Sequence, residues 1–570
     1  MDQIQQQVKG AGLLRQQRLT QLQTELQPWI NDWEMIGRRL APQHGRWLND
    51  ANQRNRPRTS ESIDVIDNTG TMAVQTLQNG MMSLAFSPAR RFWKGTIADK
   101  DLAEWQPVSE HLAIIDDAVG TVLAMSNFYR VTHEGFAPLG VFGMNAVHLR
   151  QHPKRGMWLY PYEIGEYSVA GNEENEIDTI YRQFAMTTVQ IVEQFGWAAV
   201  SDRVKTSWNH GHLGHWHTVV HAIEPRAHRK PQSLAARDMP FASIYWELSQ
   251  SKTDEVLRES GYEEFPVVVP RWSTRCGEVY GYGAGTYAVG DTGALNHLGY
   301  RSSQLVDFGV EPPVQGPSAH SQDEPSFLPG SLTHNEQPGT QPFKPVWQPT
   351  LSLGELNVER MDTRQRINRA FFVDMFLMLS NISDTTQRTA AEVAKRAEEQ
   401  LVQAGPVVSR INREYGEPVL KFAFRVAQQM GLIPPPPEEL QGQRWEIEFD
   451  SVFVQAQKLI GTANNDRFMA SIGPVLAYDQ TQVDVLDGEA IIRDYASRYS
   501  IRPKNLRSPK KVAERQQSRA AAMAAKEQSA ILAEQAGAAS NLAGAAATGG
   551  APADQLSQLV GYNSPPAQSY

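Results

Sequence analysis

Five histidines, His210, His212, His215, His217 and His221, fall within one short stretch of the chain. In extended backbone, alternate side chains project from one face, so His215, His217 and His221 would share a strand face. The first two would stand about 6.6 Å apart along it, a spacing that imidazoles bridge to one metal ion. A metal-dependent hydrolase centred on His210–His221 is therefore the enzymatic chemistry to weigh. No cysteine or carboxylate completes a ligand pattern beside them, so surface and interface histidines are the stronger reading, and no metal or cofactor is assigned. Imidazole changes charge between about pH 5 and 8, which would let the group tune an interface.

Gly281-Tyr282-Gly283-Ala284-Gly285 has the glycine density of a phosphate-cradling loop. It lacks the Gly-Lys-Ser/Thr ending of a Walker loop and the full dinucleotide fingerprint, and so reads as a tight turn. A Gly-x-Ser-x-Gly elbow and a His-Glu-x-x-His helix are both missing, so no catalytic residue is assigned and the chain is read as a non-enzyme. Arg54, Arg56 and Arg58 could touch phosphate, but so short a basic run is more often a solvated loop.

Composition narrows the class further. The 570 residues include 54 basic and 63 acidic side chains, a net charge of −9, with 41% hydrophobic and 21% charged residues. This is a soluble globular balance with room for several domain-sized units. A tight nucleic-acid binder normally carries the opposite sign. Cys276 is the lone cysteine, which rules out an intrachain disulfide. The N-terminal MDQIQQQVKG has no apolar signal core, and the longest apolar run, Phe371 to Leu379, is interrupted by Asp374 and too short for a bilayer. No membrane partner is expected.

The elements follow from periodicity. Leu19, Leu22, Leu26, Trp29 or Ile30, Trp33 and Ile36 recur every three or four residues over 13–40, the pattern of an amphipathic helix that Pro28 should bend or divide. Residues 62–86 read as a helix with Ile66, Met72, Val74, Leu77, Met81 and Leu84 available for a core. Beyond residue 150 the pattern turns to β, in MWLYPYEIGEYSVAG and HWHTVVHAIEPR. Helix returns over 289–308, then Pro, Gly and Ser dominate 309–351, with a strand expected from Thr340 to Gln348. The class is α+β, predominantly helical.

One junction stands out. Ile367, Phe371, Met375 and Met378 form one helical stripe. The polar run Ser380 to Gln387 then collects residues whose side chains compete for backbone hydrogen bonds and so favour a loop. Thr389 and Glu392 have capping-box spacing, which starts the next helix near Thr389. That helix should kink near Ala404-Gly405-Pro406 and break again near Glu417-Pro418. After Pro503 come a basic stretch, an Ala-rich helix to Ala547 that gains most by packing on copies of itself, and a Gly/Pro/Ser-rich end.

At RAFFVDMFLML (369–379), TAAEVAKRAEEQLVQAGPVVSRI (389–411), GLIPPPPEEL (431–440) and FDSVFVQAQK (449–458) the chain resembles the portal, or head-to-tail connector, proteins of short-tailed podovirus-type bacteriophages. VVHAIEPR (219–226), ESGYEEFPVVVPRW (259–272) and GEVYGYGAGTYAVGDTGALNHL (277–298) are similar to that family too, and the likeness covers most of residues 10–500. Family members usually carry a Gly-Arg-Gly-Pro-Gly type run where this chain has Gly281 to Gly285.

The resemblance implies a portal-type subunit: a wing at 1–288, a first stem helix at 289–308, a clip at 309–351 and a second stem helix at 352–380. A tunnel loop at 381–388, a kinked wing helix and crown base at 389–504, and an Ala-rich crown or barrel helix with a flexible tail at 505–570 would complete it. It also implies a dodecameric ring with a central channel at one capsid vertex, through which double-stranded DNA is packaged and ejected. The partners would be further copies of the chain, DNA as cargo, the terminase packaging motor, tail adaptor proteins, and the major capsid and scaffolding proteins. The site would be the virion's portal vertex, after synthesis in the host cytoplasm. Asn381, Ser383, Thr385, Gln387 and Arg388 would lie near DNA, with Thr389 and Glu392 capping the helix after the loop; the competing role for that loop is packing between subunits. Net acidity fits a sliding cargo, because each neutralised phosphate adds affinity that slows movement.

Overall fold

The computed structural model describes residues 2–44, 65–99, 102–103, 105–230, 233, 235–248, 256–317, 324, 326–335, 343–346, 353–381, 404–440, 442–450, 471, 488, 491–492 and 509–547. Helices outweigh strands. The first, α1 (Asp2–Leu40), buries Leu19, Leu22, Leu26, Ile30, Trp33 and Ile36 along its expected stripe. Pro28 lies inside it without dividing it, because buried residues on both sides of the missing hydrogen bond keep the chain helical. Next, α2 (Thr69–Ala85) begins later than residue 62. Val74, Leu77, Met81 and Leu84 are buried as expected, but Met72 and the preceding Ile66 are exposed.

After β1 (Trp93–Thr96), α3 (Gln106–Met125) and α4 (Phe128–Phe142) carry long apolar faces into the same core. The β-rich region expected beyond residue 150 comprises β2 (Ala146–His152), β3 (Gly156–Tyr162), β4 (Tyr167–Gly171) and β5 (Ile177–Thr187), then α5 (Thr188–Phe195) and α6 (Asp202–Asn209). It continues through β6 (Trp216–Pro225), β7 (Phe241–Glu247), β8 (Arg258–Tyr262) and β9 (Val267–Val268). Strands β4 to β8 form an antiparallel five-stranded sheet in chain order, while β2 sits between β3 and β9 in a second sheet. A capping box between Thr187 and Gln190 turns β5 directly into α5.

The helix expected over 289–308 is the middle of α7 (Ala284–Val310). Beyond it, β10 (Val314–Pro317) pairs in parallel with β11 (Leu332–Asn335) and antiparallel with β12 (Lys344–Pro345). Of the strand expected from Thr340 to Gln348, Lys344–Pro345 is the part described as strand; residues 340–342 and 347–348 lie outside the described residues.

The single helix expected over 352–380 is two helices, α8 (Leu353–Ala370) and α9 (Val373–Asn381). The break is at Phe372, whose φ of 55° is left-handed. Such a conformation costs about 1–2 kcal/mol in a non-glycine residue. Two aromatic rings offset it: Phe371 is fully buried, and Phe372 packs 6.3 Å from the Trp272 ring.

Residues 404–411 are helical straight through Pro406; residues 401–403 lie outside the described residues, so the expected kink at 404–406 is not seen in the described part. The irregularity falls later, as a π turn at Asn412–Gly416 leading into α10 (Glu417–Gln429). Pro418 explains it: with no N–H to give and a ring that crowds the carbonyl one turn back, proline widens the preceding turn. Finally β13 (Glu446–Phe449) pairs with β1, and α11 (Pro509–Ala547) runs with nearly every described side chain exposed.

Candidate functional site

Asn381 is the last residue of α9, and Ser383, Thr385, Gln387, Arg388, Thr389 and Glu392 lie outside the described residues. What the described residues establish is how the approach to the expected loop is held. Val373, Met375 and Phe376 of α9 are buried, while Asp374 and Leu377 on its other side are exposed. Gly80 of α2 makes this possible: a methyl group there would stand 2.1 Å from Cδ1 of Phe376. The missing side chain is the socket for the ring.

Behind α9, α8 lies against α7. Thr363 and Ile367 of α8 are fully buried, and α7 turns Ala288, Thr292, Leu295, Gly299 and Ser302 inward, a seam of mostly small residues that lets helices approach closely. Asp67, just ahead of α2, is the polar lock of this layer. Its carboxylate accepts from Arg364 Nη2 at 2.7 Å and Nε at 3.2 Å, and from the Thr69 backbone N–H at 3.0 Å. Its own N–H donates to Asn296 Oδ1 on α7, at 3.0 Å. Burial raises the Asp67 pKa, but the hydrogen bonds from Thr69 and Arg364 outweigh it and hold the carboxyl below its ordinary value. Arg366 adds looser pairs at 3.6 Å to Asp291, 3.7 Å to Asp362 and 3.8 Å to Glu359.

The glycine run before α7 is a packing device. A Cβ on Gly281 would lie 2.2 Å from the Gly143 carbonyl oxygen, one on Gly283 2.5 Å from that of Gly140, and one on Gly285 2.4 Å from that of Val141. The run lies backbone to backbone on the C-terminal end of α4, which leaves no room for a phosphate.

The histidines part company. His210 follows α6 as its C-terminal cap, and His212 and His215 are exposed in the turns before β6. His215 and His217 are neighbours, their rings 4.9 Å apart and nearly perpendicular. His217 is buried, with Nε2 3.1 Å from the Thr188 hydroxyl; burial first, then His215 and Arg203, depress its pKa to about 4. His221, four residues further along β6, shares its strand face with His217 but has partners of its own. It stacks on Tyr245 at 3.8 Å, and its Nε2 is 2.9 Å from Ser243 Oγ. Among the described residues, no group of three or more His, Cys, Asp or Glu side chains is placed to hold a metal.

Sequence spacing gave no sign of His221's real neighbour, His148 on β2, whose ring stacks on it with centroids 5.8 Å apart. His148 Nδ1 lies 2.7 Å from the Tyr162 hydroxyl. Burial, then the cations of Arg150 and Arg182, hold His148 well below the ordinary imidazole range; burial and His148 itself do the same for His221. Both rings are therefore neutral and structural, tying the two sheets together.

Residues 14–506 match the family described as bacteriophage head to tail connecting protein. The chain belongs to that family. This connector is 34% identical over 516 residues to a probable portal protein of Bordetella phage BPP-1, a match covering 90% of the chain and 92% of the relative. It is 33% identical over 494 residues to the portal protein of Salmonella phage epsilon15, covering 86% and 87%. A solved chain from the neck of an empty gene transfer agent particle covers 76% of this chain and 93% of its own length, at 12% identity and a TM-score of 0.34, too low to carry an argument. The resemblance read over most of residues 10–500 is thus borne out: the connector is a phage portal protein, a structural part of the virion.

Proposed function

We propose that the connector assembles as a dodecameric ring at one capsid vertex, conducts double-stranded DNA during packaging and ejection, and gives the packaging motor and tail their attachment platform. Membership of the head-to-tail connecting family carries this reading. In it, α7 with α8 and α9 forms the channel wall, the small sheet of β10, β11 and β12 presents the docking surface for terminase and tail adaptors, and residues 381–388 reach into the channel. Asn381, Ser383, Thr385, Gln387 and Arg388 make weak, sliding contacts with phosphate. A net charge of −9 per copy keeps the conduit from gripping its cargo. α11, with Met523, Ile531 and Leu532 exposed, gains apolar cover from neighbouring copies as a crown.

Electron microscopy of the purified chain tests the ring: axial views with a central opening are expected, and uniform monomers under all assembly conditions would sink the reading. Deleting residues 381–387 tests the loop. Rings should still form, because Phe376 seats α9 against α2, while DNA packaging or retention falls. Normal packaging and retention in that variant would remove the loop from the mechanism.

A further inference from the structure

Two hairpin turns of opposite charge are anchored at two separate points along one helical run. The β2–β3 turn is basic: Lys154 and Arg155 are exposed, and their backbone N–H groups both donate to His152 Nδ1 at 3.2 Å. The Arg155 guanidinium lies 4.5 Å over the Trp158 ring. Gly156 closes this turn with φ at 70°, so tight on α10 that a methyl group there would meet Met430 Sδ at 2.9 Å. The β4–β5 turn is acidic: Glu173 and Glu174 are exposed, and the Asn172 side chain accepts from the backbone N–H groups of Glu174 and Glu176. Arg271 Nη2 donates to the Asn175 carbonyl at 3.0 Å, and Arg413 pairs with Glu176 at 3.4 Å.

The anchors set the distance between the turns. Arg413 and Met430 stand 17 positions apart on the run from 404 through α10, or about 25 Å at 1.5 Å per residue. Screening over about 8 Å at physiological salt means the two turns do not neutralise each other within a chain. Water can solvate both turns, and in a ring the neighbouring copy offers each an oppositely charged partner. A closed ring of identical copies requires a heterologous contact, in which one surface of a copy meets a different surface of the next. We infer that the acidic β4–β5 turn of one copy docks on the basic β2–β3 turn of its neighbour and sets the register of the ring. This inference rests on the ring reading and names the contact that closes it.

Charge reversal separates the two. Copies carrying Glu173→Lys with Glu174→Lys bear two basic turns, and copies carrying Lys154→Glu with Arg155→Glu bear two acidic ones. All four side chains are exposed, so the Glu173/Glu174 variant should melt as the parent does and the Lys154/Arg155 variant close to it, less the surface contact of Arg155 with Trp158. Each alone should give at least about tenfold fewer rings, by electron microscopy and sedimentation, because like charges then face each other. An equimolar mixture should form rings of alternating copies, since every contact is complementary again. If either variant assembles alone as well as the parent, or if the mixture fails while the parent assembles, this contact is wrong and the ring stands. A parent that never forms rings would remove the ring reading, and this contact with it.

Discussion

Arg364 donates through both Nη2 and Nε to one oxygen of Asp67, joining α8 to the start of α2 across 297 residues of sequence. Asp67 also receives the Thr69 hydroxyl and N–H, and through Asn296 it holds α7. One residue therefore fixes three helices, its carboxylate holding α2 and α8 and its backbone N–H holding α7.

Asp67→Ala should destabilise the chain by about 2 kcal/mol, the sum of a lost helix-start bond and an ion pair whose arginine is partly solvated. Arg364→Ala should cost less, because Thr69 remains, as does Arg360, whose Nη2 lies 3.5 Å from the same carboxylate. Because the folded pKa of Asp67 lies below its ordinary 3.8, its contribution is full above that pH and is lost as pH falls through the folded value. Denaturant unfolding of both variants at pH 7 and in acid checks the order and the sign.

Gly80→Ala should lower stability by about 1–3 kcal/mol, since the added methyl overlaps the Phe376 ring and α9 must shift. Adding Phe376→Leu should recover part of the loss. If Gly80→Ala alone is neutral, Phe376 does not seat α9.

Gly283→Ala and Gly290→Ala should move in opposite directions. The first drives a methyl group against the backbone of α4, which cannot swing aside, and soluble folded protein should fall sharply. The second, inside α7 with nothing within 4 Å of the new Cβ, should stabilise by about 0.5–1 kcal/mol. Thermal melts of the pair read the difference directly.

Acid should weaken the sheet region through its two stacked histidines. His148 and His221 have folded pKa values well below 6.5, so their neutral packing is fully favourable above pH 6.5 and is lost as pH falls below it, when the unfolded chain takes up protons first. Arg150, Arg182 and Arg258 face the pair and sharpen the effect. Asp116 opposes it: burial raises its pKa to about 6, so it favours the fold as pH drops from about 6 towards 3.8. His221→Phe should keep the stack on Tyr245 and flatten the loss of stability between pH 7 and 5. An unchanged slope would show that the pair does not carry it.

Much of this was legible in sequence where one local pattern decided the outcome. The stripe Leu19 to Ile36 needs only helical spacing, and it is buried as read. The stripe Ile367, Phe371 and Met375 was also right about burial, yet it could not disclose the break at Phe372, which depends on Trp272, a hundred residues away. The histidines are legible only in part for a related reason. Strand alternation rightly puts His217 and His221 on one face of β6, but their partners, Thr188 and His148, come from other elements and give each a separate structural role. Asp67 gave no signal at all, because its partners Asn296 and Arg364 lie on helices that only the fold brings near.

The pairing of β1 with β13 sets Trp93 opposite Phe449, and Tyr415 stacks on Phe128 and packs at a tilt on Phe86 in the same core. Strands and rings so distant in sequence cannot meet until the ribosome has passed Phe449. The part of the core that β1 and β13 line is therefore completed only after residues up to Phe449 are available.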